Sequence, residues 1–333
     1  VSGGAGSIGS QLVIELANFN VKKIIVLDMN ETALFELENE LKTLKGNIII
    51  EYQIINITDK ILFKNIFEVN KIDFIFHAAA YKHVPMMERS PKVAILNNLT
   101  GTSNLVDLAI KHQISKFLLV STDKAVNPSN IMGASKRLCE IYISFFNNGK
   151  TKFITTRFGN VIGSNGSVIP IFQKQIEKGG PVTVTHKKIE RFFMNIPEAS
   201  KLVLEACRLG ENNQIFIFDM GKPIKIYELA KRMIHFYNKK SKNNIKIKIV
   251  GLRPGEKLYE ELLKDQEGLI KSKNKNLFIA KKENFDVSIK SLLYSIIEKV
   301  YSDDYTDLDL VCDVKKIIPE FKSMNSEYKK LDS

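Results

Sequence analysis

The chain has 333 residues, enough to bury a substantial core in one large or two smaller domains. Apolar residues make up 44% and charged residues 26%, and no run approaches the roughly 18 uninterrupted apolar residues of a membrane helix, which excludes such a span within the sequence. The formal charge of +12 would admit nucleic acid, an anionic membrane surface or a phosphorylated ligand, but Lys, Ile and Asn abound throughout and clusters such as "KNKNLFIAKK" lack a nucleic-acid motif, so no nucleic acid is expected.

The chain starts at Val1 directly on "SGGAGSIGS", a glycine turn that normally follows a complete strand. The first strand is therefore expected to be cut short and preceded by further sequence. Gly3, Gly6 and Gly9 suit a tight turn, close backbone approach to a pyrophosphate and close helix packing, with Ser7 and Ile8 opening the helix whose N-terminus offers amide donors. The apolar run 22–28 ends on Asp28, 19 residues after Gly9, where a carboxylate can take both ribose hydroxyls of an adenosine and would repel a 2′-phosphate. That favours NAD over NADP. The competing role for Asp28, capping the next helix, is better filled by Asn30. A helix is predicted over 31–44, with Leu34, Leu37, Leu41 and Leu44 on one stripe, followed by strands over 47–55, 72–80 and 114–122 and a helix over 94–112.

Small residues Ala78 and Ala79 in "HAAAY" would let the backbone approach the nicotinamide half of a dinucleotide. Asn98 lies inside the predicted helix 94–112, where Asn is unfavourable, and so suggests a structural hydrogen bond or a water near the site. Thr122, Asp123 and Lys124 stand where a strand gives way to a loop, a suitable place to face substrate. Alternation of strand and helix implies an α/β fold, a Rossmann-type doubly wound parallel sheet over 1–156. Past Thr156 the pattern loosens at "FGNVIGSNGS", "KGGPV" and "GLRPGEK", between helices predicted near 169–178, 197–209 and 226–237. This suggests a smaller lobe over 157–318, covering the carboxyl ends of the strands and interleaved with the first domain. The Lys-rich stretch 319–333 is predicted to be a frayed polar tail.

Three cysteines, Cys139, Cys207 and Cys312, are too scattered for a disulfide framework or a cysteine metal site, and favour a reducing, cytoplasmic setting. The histidines show no paired ligand spacing, so no metal is expected. His83 and Lys82 lie in "AAAYKHV", near the expected sugar pocket.

The stretches "SGGAGSIGSQL", "HAAAYKHVPMME", "STDKAVNP", "MGASKR", "RFGNVIGSNGSVIP", "VTVTH", "RFFMNIPEA" and "GLRPGEKLYEELL" together resemble the extended short-chain dehydrogenase/reductases, and among them the nucleotide-sugar 4,6-dehydratases. The resemblance is close to the UDP-N-acetylglucosamine 4,6-dehydratase branch and runs to about residue 310. It implies NAD recycled within each turnover: C4 of the sugar is oxidised, the C5 proton is removed, the C6 hydroxyl leaves as water and the hydride returns to C6. By the same resemblance Asp123 is the acid for the departing water, Lys124 the C5 base and Thr122 a hydrogen-bond partner of the sugar O4. Lys136 would hold the nicotinamide ribose. A lysine base needs burial and a neighbouring cation to lower its pKa, and Lys136 is the expected cation. The superfamily's ordinary Tyr is replaced by Met132, whose thioether cannot take a hydroxyl proton. Asn56 stands where the family usually has an Asp accepting from the adenine amine.

Toward the nucleotide sugar, Asn160, Ser167 and Val168 resemble the segment that holds the nucleotide and its phosphates. Arg253 suits the diphosphate and Glu256 the uridine ribose. Arg191 is either a further phosphate or sugar contact or part of a structural ion pair, and Lys82 and His83 have accessory roles. The resemblance further implies a homodimer through the two long helices beginning near Pro91 and Met132. It also includes long members whose catalytic domain follows membrane helices, at the cytoplasmic face of a membrane. A nucleotide-sugar 4-epimerase and a catalytically silent NAD-binding protein are the other readings; Met132 and the Lys of "TDK" oppose the first, and retention of Asp123, Lys124, Lys136, Arg253 and Glu256 opposes the second.

Overall fold

The computed structural model describes residues 1–42, 48–146, 149–238, 245–263 and 268–332. Apolar runs become short parallel strands: β1 (Lys23–Asp28), β2 (Ile49–Ile54), β3 (Phe74–His77), β4 (Lys116–Val120) and β5 (Lys152–Arg157). β2 pairs with β1, and β3, β4 and β5 pair in that order. Ser2 bridges both Leu27 and His77, so the residues entering the glycine turn occupy the middle of the sheet. Beyond β5 the sheet continues with Gln214–Phe218, parallel to β5, then Leu277–Ala280 and Leu269–Lys271, both antiparallel additions. The reversal of strand order falls beside the glycine turn, the point at which doubly wound sheets bind ligands.

Helices α1 (Ser7–Ala17), α2 (Glu31–Leu41) and α3 (Lys60–Val69) follow the first strands. Asn30 caps α2 by accepting from the Ala33 amide at 3.1 Å. The helix stops at Leu41, three residues before the predicted end; Leu44 of the predicted stripe and Asn47 lie outside the described residues. The predicted helix 94–112 is instead α5 (Pro91–Ile95), a π-turn over Leu96–Thr100 and α6 (Gly101–Lys111), preceded by the short α4 (Val84–Arg89). The π-turn carries Asn98, whose Oδ1 accepts from the Tyr81 amide at 2.8 Å and whose Nδ2 donates to the Tyr81 carbonyl at 3.0 Å and to Ser135 Oγ at 2.8 Å. An Asn that binds a neighbouring loop by both ends locally widens the helix.

α7 (Ile131–Ser144) begins at Asn130, which accepts from the Gly133 amide at 2.7 Å. The smaller lobe is built from α8 (Val168–Glu177), the paired strands Val182–Val184 and Ile247–Ile249, and α10 (Ile226–Asn238), around Phe172, Val184, Ile189 and Ile234. Between them α9 (Ile196–Leu209) packs on α1 and leads the chain back to the main sheet, so 157–318 is not one continuous lobe.

Two expectations are corrected by the last fifty residues. α11 (Val287–Lys299) and α12 (Asp307–Ile317) lie against α5 and α7, with Leu293, Leu310, Val311 and Val314 joining the same core as Leu138 and Tyr142. Every residue of α7 from Ile131 to Ile143 is buried, so the helix face expected to pair two copies is covered by the chain itself. Nor does the tail fray. Phe321 and Tyr328 are buried, and Lys315 Nζ ties together the Phe321 carbonyl, Ser323 Oγ and Asp332. Two aromatic anchors within a Lys-rich stretch outweigh its polar composition.

Candidate active site

A cleft of about 690 Å³ runs from the glycine turn, across the carboxyl ends of β3 and β4, to the smaller lobe. At one end, Gly3 has φ +66°, and a Cβ there would lie 2.5 Å from the Ala79 amide nitrogen; a Cβ on Gly9 would overlap the Gly3 carbonyl oxygen. These two glycines let the turn close, while Gly6, Ser7 and Ile8 place the N-terminus of α1 in the cleft. Asp28 accepts from the Ala5 amide with Oδ2 and from the Asn30 amide with Oδ1, both at 3.0 Å, and so braces the turn from the end of β1. Its position leaves each oxygen a further lone pair. The glycine cradle, the helix terminus and this carboxylate fit a dinucleotide.

Ala78 lines the cleft, whereas Ala79 lies behind it against Gly3. Asn98 is buried behind Tyr81 and sets that loop from the rear rather than lining the cleft. Asn56 also stands away from the cleft. Its Oδ1 accepts from the Thr58 amide and hydroxyl at 3.0 and 2.9 Å, using both lone pairs in a local turn and leaving none for an adenine amine.

The chemistry gathers at the centre. Lys124 Nζ donates to Asp123 Oδ1 at 2.9 Å and to Asn160 Oδ1 at 3.2 Å. Thr122 Oγ1 donates to the same Asp123 oxygen at 2.8 Å. Asp123 Oδ2, fully buried, has no hydrogen-bond partner among the described residues. Glu260, not anticipated from the sequence, lies 3.8 Å from Lys124 Nζ and 3.6 Å from Arg191 Nε. Burial alone would lower the Lys124 pKa, but the carboxylates of Asp123 and Glu260 overcome it and the net shift is upward. The expected lowering by Lys136 is therefore corrected: the resting Lys124 is an ammonium held between two acids. Burial lowers the pKa of Lys136 instead, and Lys136 has no hydrogen-bond partner among the described residues. Met132, 4% exposed, lines the cleft one helical turn before it.

Beneath this cluster, Ser121 Oγ donates to Glu140 Oε1 at 2.6 Å, and Arg157 and Arg137 clasp the same carboxylate. His77 bridges Ser2 Oγ at 2.7 Å and Thr102 Oγ1 at 2.9 Å; burial first, then Lys136, keeps its pKa well below the usual value, so the ring is neutral.

At the far end, Ser167 opens α8 with its Oγ unpartnered among the described residues and Val168 beside it, both lining the cleft. Arg253 is exposed and lines the cleft, while Glu256 accepts from Thr185 Oγ1 and the Arg253 amide, both at 3.1 Å. Arg191 lines the wall but is committed to structure: it donates to the carbonyls of Glu190, Lys257 and Leu258 and sits between Glu256 and Glu260. Lys82 and His83 face the opening, and the His83 ring rests on Gly166, where a Cβ would meet it at 2.5 Å. Partial burial lowers both pKa values, and Lys82 adds to the effect on His83.

Residues 1–282 match the family model described as "Polysaccharide biosynthesis protein". The chain belongs to this polysaccharide biosynthesis family. It is 48% identical over 270 residues to the capsular polysaccharide biosynthesis protein CapD of Staphylococcus aureus, covering 80% of this chain and 45% of CapD, so it spans about half of that relative's length. It is 35% identical over 277 residues to a UDP-glucose 4-epimerase of Rickettsia rickettsii, covering 80% of this chain and 77% of the epimerase. Among solved structures, Pen from Bacillus thuringiensis superposes with a TM-score of 0.77 at 34% identity, over 83% of this chain and 85% of that one. The family match ends where α11 and α12 begin, so the helices that cover α5 and α7 lie outside it. Among the described residues no helix is long and apolar enough to cross a membrane, and no cluster of His, Cys, Asp or Glu could hold a metal ion.

Glu260 left one trace in the sequence, four residues after Glu256 in "GEKLYEELL". Because that segment is not helical, the spacing alone did not bring the two carboxylates together.

Proposed function

We propose that the protein is an NAD-dependent 4,6-dehydratase acting on a UDP-sugar, UDP-N-acetylglucosamine being the favoured substrate, in polysaccharide or glycan biosynthesis. The observation that carries this reading is Lys124 on the cleft wall, paired at 2.9 Å with the buried Asp123 behind it, beside a helix that offers Met132 where an alcohol-oxidising Tyr would stand. Bound NAD would supply the hydride acceptor and donor for C4 and C6. Gly3, Gly6, Ser7, Ile8 and Gly9 would hold its pyrophosphate, Asp28 its adenosine ribose and Lys136 its nicotinamide ribose. The buried, neutral His77 keeps an imidazolium charge away from this end.

Elimination needs a base at C5 and an acid at O6 together. One proton shift supplies both. Moving a proton from Lys124 Nζ to Asp123 Oδ1 turns the ion pair into a free amine and a carboxylic acid with no change in net charge. The amine then takes the C5 proton and the acid protonates the departing hydroxyl, which restores ammonium and carboxylate. Glu260 and Asp123 set the resting state as the ion pair, and Asn160 aims the lysine. Arg253 would meet the diphosphate together with the α8 terminus and Ser167, and Glu256 the uridine ribose.

A second reading, 4-epimerisation, is favoured by the likeness to the Rickettsia epimerase. The two separate on incubation with UDP-N-acetylglucosamine and NAD in deuterated water. Dehydration yields a product lighter by one water with deuterium at C5, whereas epimerisation changes C4 at constant mass. NAD binding without turnover by the full-length protein would favour a silent binding protein.

A further inference from the structure

Met324 joins two site loops by backbone hydrogen bonds. Its amide donates to the Ser129 carbonyl at 3.1 Å, and its carbonyl accepts from the Gly255 amide at 2.6 Å. One residue therefore ties the loop leading from Lys124 into α7 to the loop carrying Arg253 and Glu256. The neighbouring Lys322 amide donates to the Pro128 carbonyl at 3.1 Å, and Ser326 Oγ donates to Glu88 Oε2 at 2.8 Å; the other oxygen of Glu88 accepts from the Ile131 amide, the first of α7. Directly between the loops, the Gly255 carbonyl accepts from Ser129 Oγ at 2.8 Å and Asn130 Nδ2 at 3.0 Å. Gly255 has φ +76° and packs against the Asn130 side chain, so no other residue would fit this junction without strain.

We infer that the segment Lys322–Ser326 is a positioning clamp for nucleotide-sugar binding, holding the Arg253–Glu256 loop at a fixed distance from the Asp123–Lys124 pair. The inference rests on the proposed role of Arg253 and Glu256. Nothing in the segment touches the cleft; it acts through the Gly255 amide and the Ser129 carbonyl. The anchors that hold it, Phe321, Ser323 and Tyr328, are buried, and the Lys315 ammonium gathers both sides of its turn. The glycine turn that would bind NAD lies at the other end of the cleft, so the clamp separates the two ligands' affinities.

Met324→Pro removes the amide donated to Ser129 while altering a side chain that is 43% exposed. Its dissociation constant for UDP and its KM for UDP-N-acetylglucosamine are expected to rise about tenfold, the loss of one buried hydrogen bond, with NAD affinity unchanged. A folded variant with unchanged UDP affinity and KM overturns the clamp. If Met324→Pro fails to fold, Ser326→Ala is read by the same split: raised KM with kcat and NAD affinity unchanged supports the inference, and unchanged KM overturns it. If the wild type binds no UDP, the functional reading fails and the clamp is judged by amide hydrogen exchange. Loss of protection at Gly255 and residues 128–131 in either folded variant then supports it, and retained protection overturns it.

Discussion

Gly133→Ala is the sharpest test of how α7 sets the catalytic turn. A Cβ at Gly133 would overlap the Lys124 carbonyl oxygen, with Asn130 Oδ1 3.3 Å away on its other side. The carbonyl belongs to the residue proposed as base, and to restore an ordinary contact it must retreat by about 1 Å. Overpacking of this kind costs roughly 1–3 kcal/mol of stability, while a displacement of about 1 Å at a reacting group lowers a rate by roughly 100-fold. The cofactor turn at Gly3–Gly9 is separate from this contact. The variant should thus bind NAD with near wild-type affinity by titration calorimetry, and its turnover of UDP-N-acetylglucosamine, followed by mass spectrometry, should fall about 100-fold. Wild-type turnover in the folded variant would refute the claim that the packing of α7 on Lys124 aligns the site.

Two further outcomes follow from buried groups. Burial would raise the Glu140 carboxyl, but Arg157, then Arg137 and Ser121, bring it from the usual 4.5 down to about 2. A folded-state pKa below the unfolded value stabilises above pH 4.5 and loses that contribution as pH falls toward 2. The contribution is roughly 3 kcal/mol at neutral pH, so acid unfolding should steepen in that window, and Glu140→Gln should lose stability at pH 7 and flatten the acid limb in denaturant titrations. Met132→Leu nearly conserves volume in a 4% exposed site, so turnover should stay within about threefold of wild type; a loss of about 100-fold would show that the thioether takes part in the chemistry.

Much of the fold was legible because buried parallel strands write themselves as apolar runs: β1 to β4 fall within the predicted segments, whereas β5, with Thr155 and Thr156 interrupting its run, lies outside them. The loops that line the cleft were legible for a similar reason: a glycine turn, "TDK" and "LRPGE" each concentrate residues with few structural uses. What failed depended on long-range packing. Of the two roles left open for Asn98, the structure shows the structural hydrogen bond, to the Tyr81 backbone, while Asn56 is spent on its own turn rather than held free for an adenine amine. The electrostatics of Lys124 turned on Glu260, 136 positions away, whose approach no local pattern encodes. The tail was misread because Phe321 and Tyr328 are isolated aromatics in a polar stretch, and only the groove against α7 and the loops at Ser129 and Gly255 gives them a place.

The central claim is that the hydride taken from C4 returns to C6 of the same sugar. UDP-N-acetylglucosamine carrying deuterium at C4 tests it most directly, with the product read by NMR. Deuterium in the C6 methyl of a 4-keto-6-deoxy product is the predicted result; deuterium still at C4 of a product with inverted C4 configuration would contradict the account.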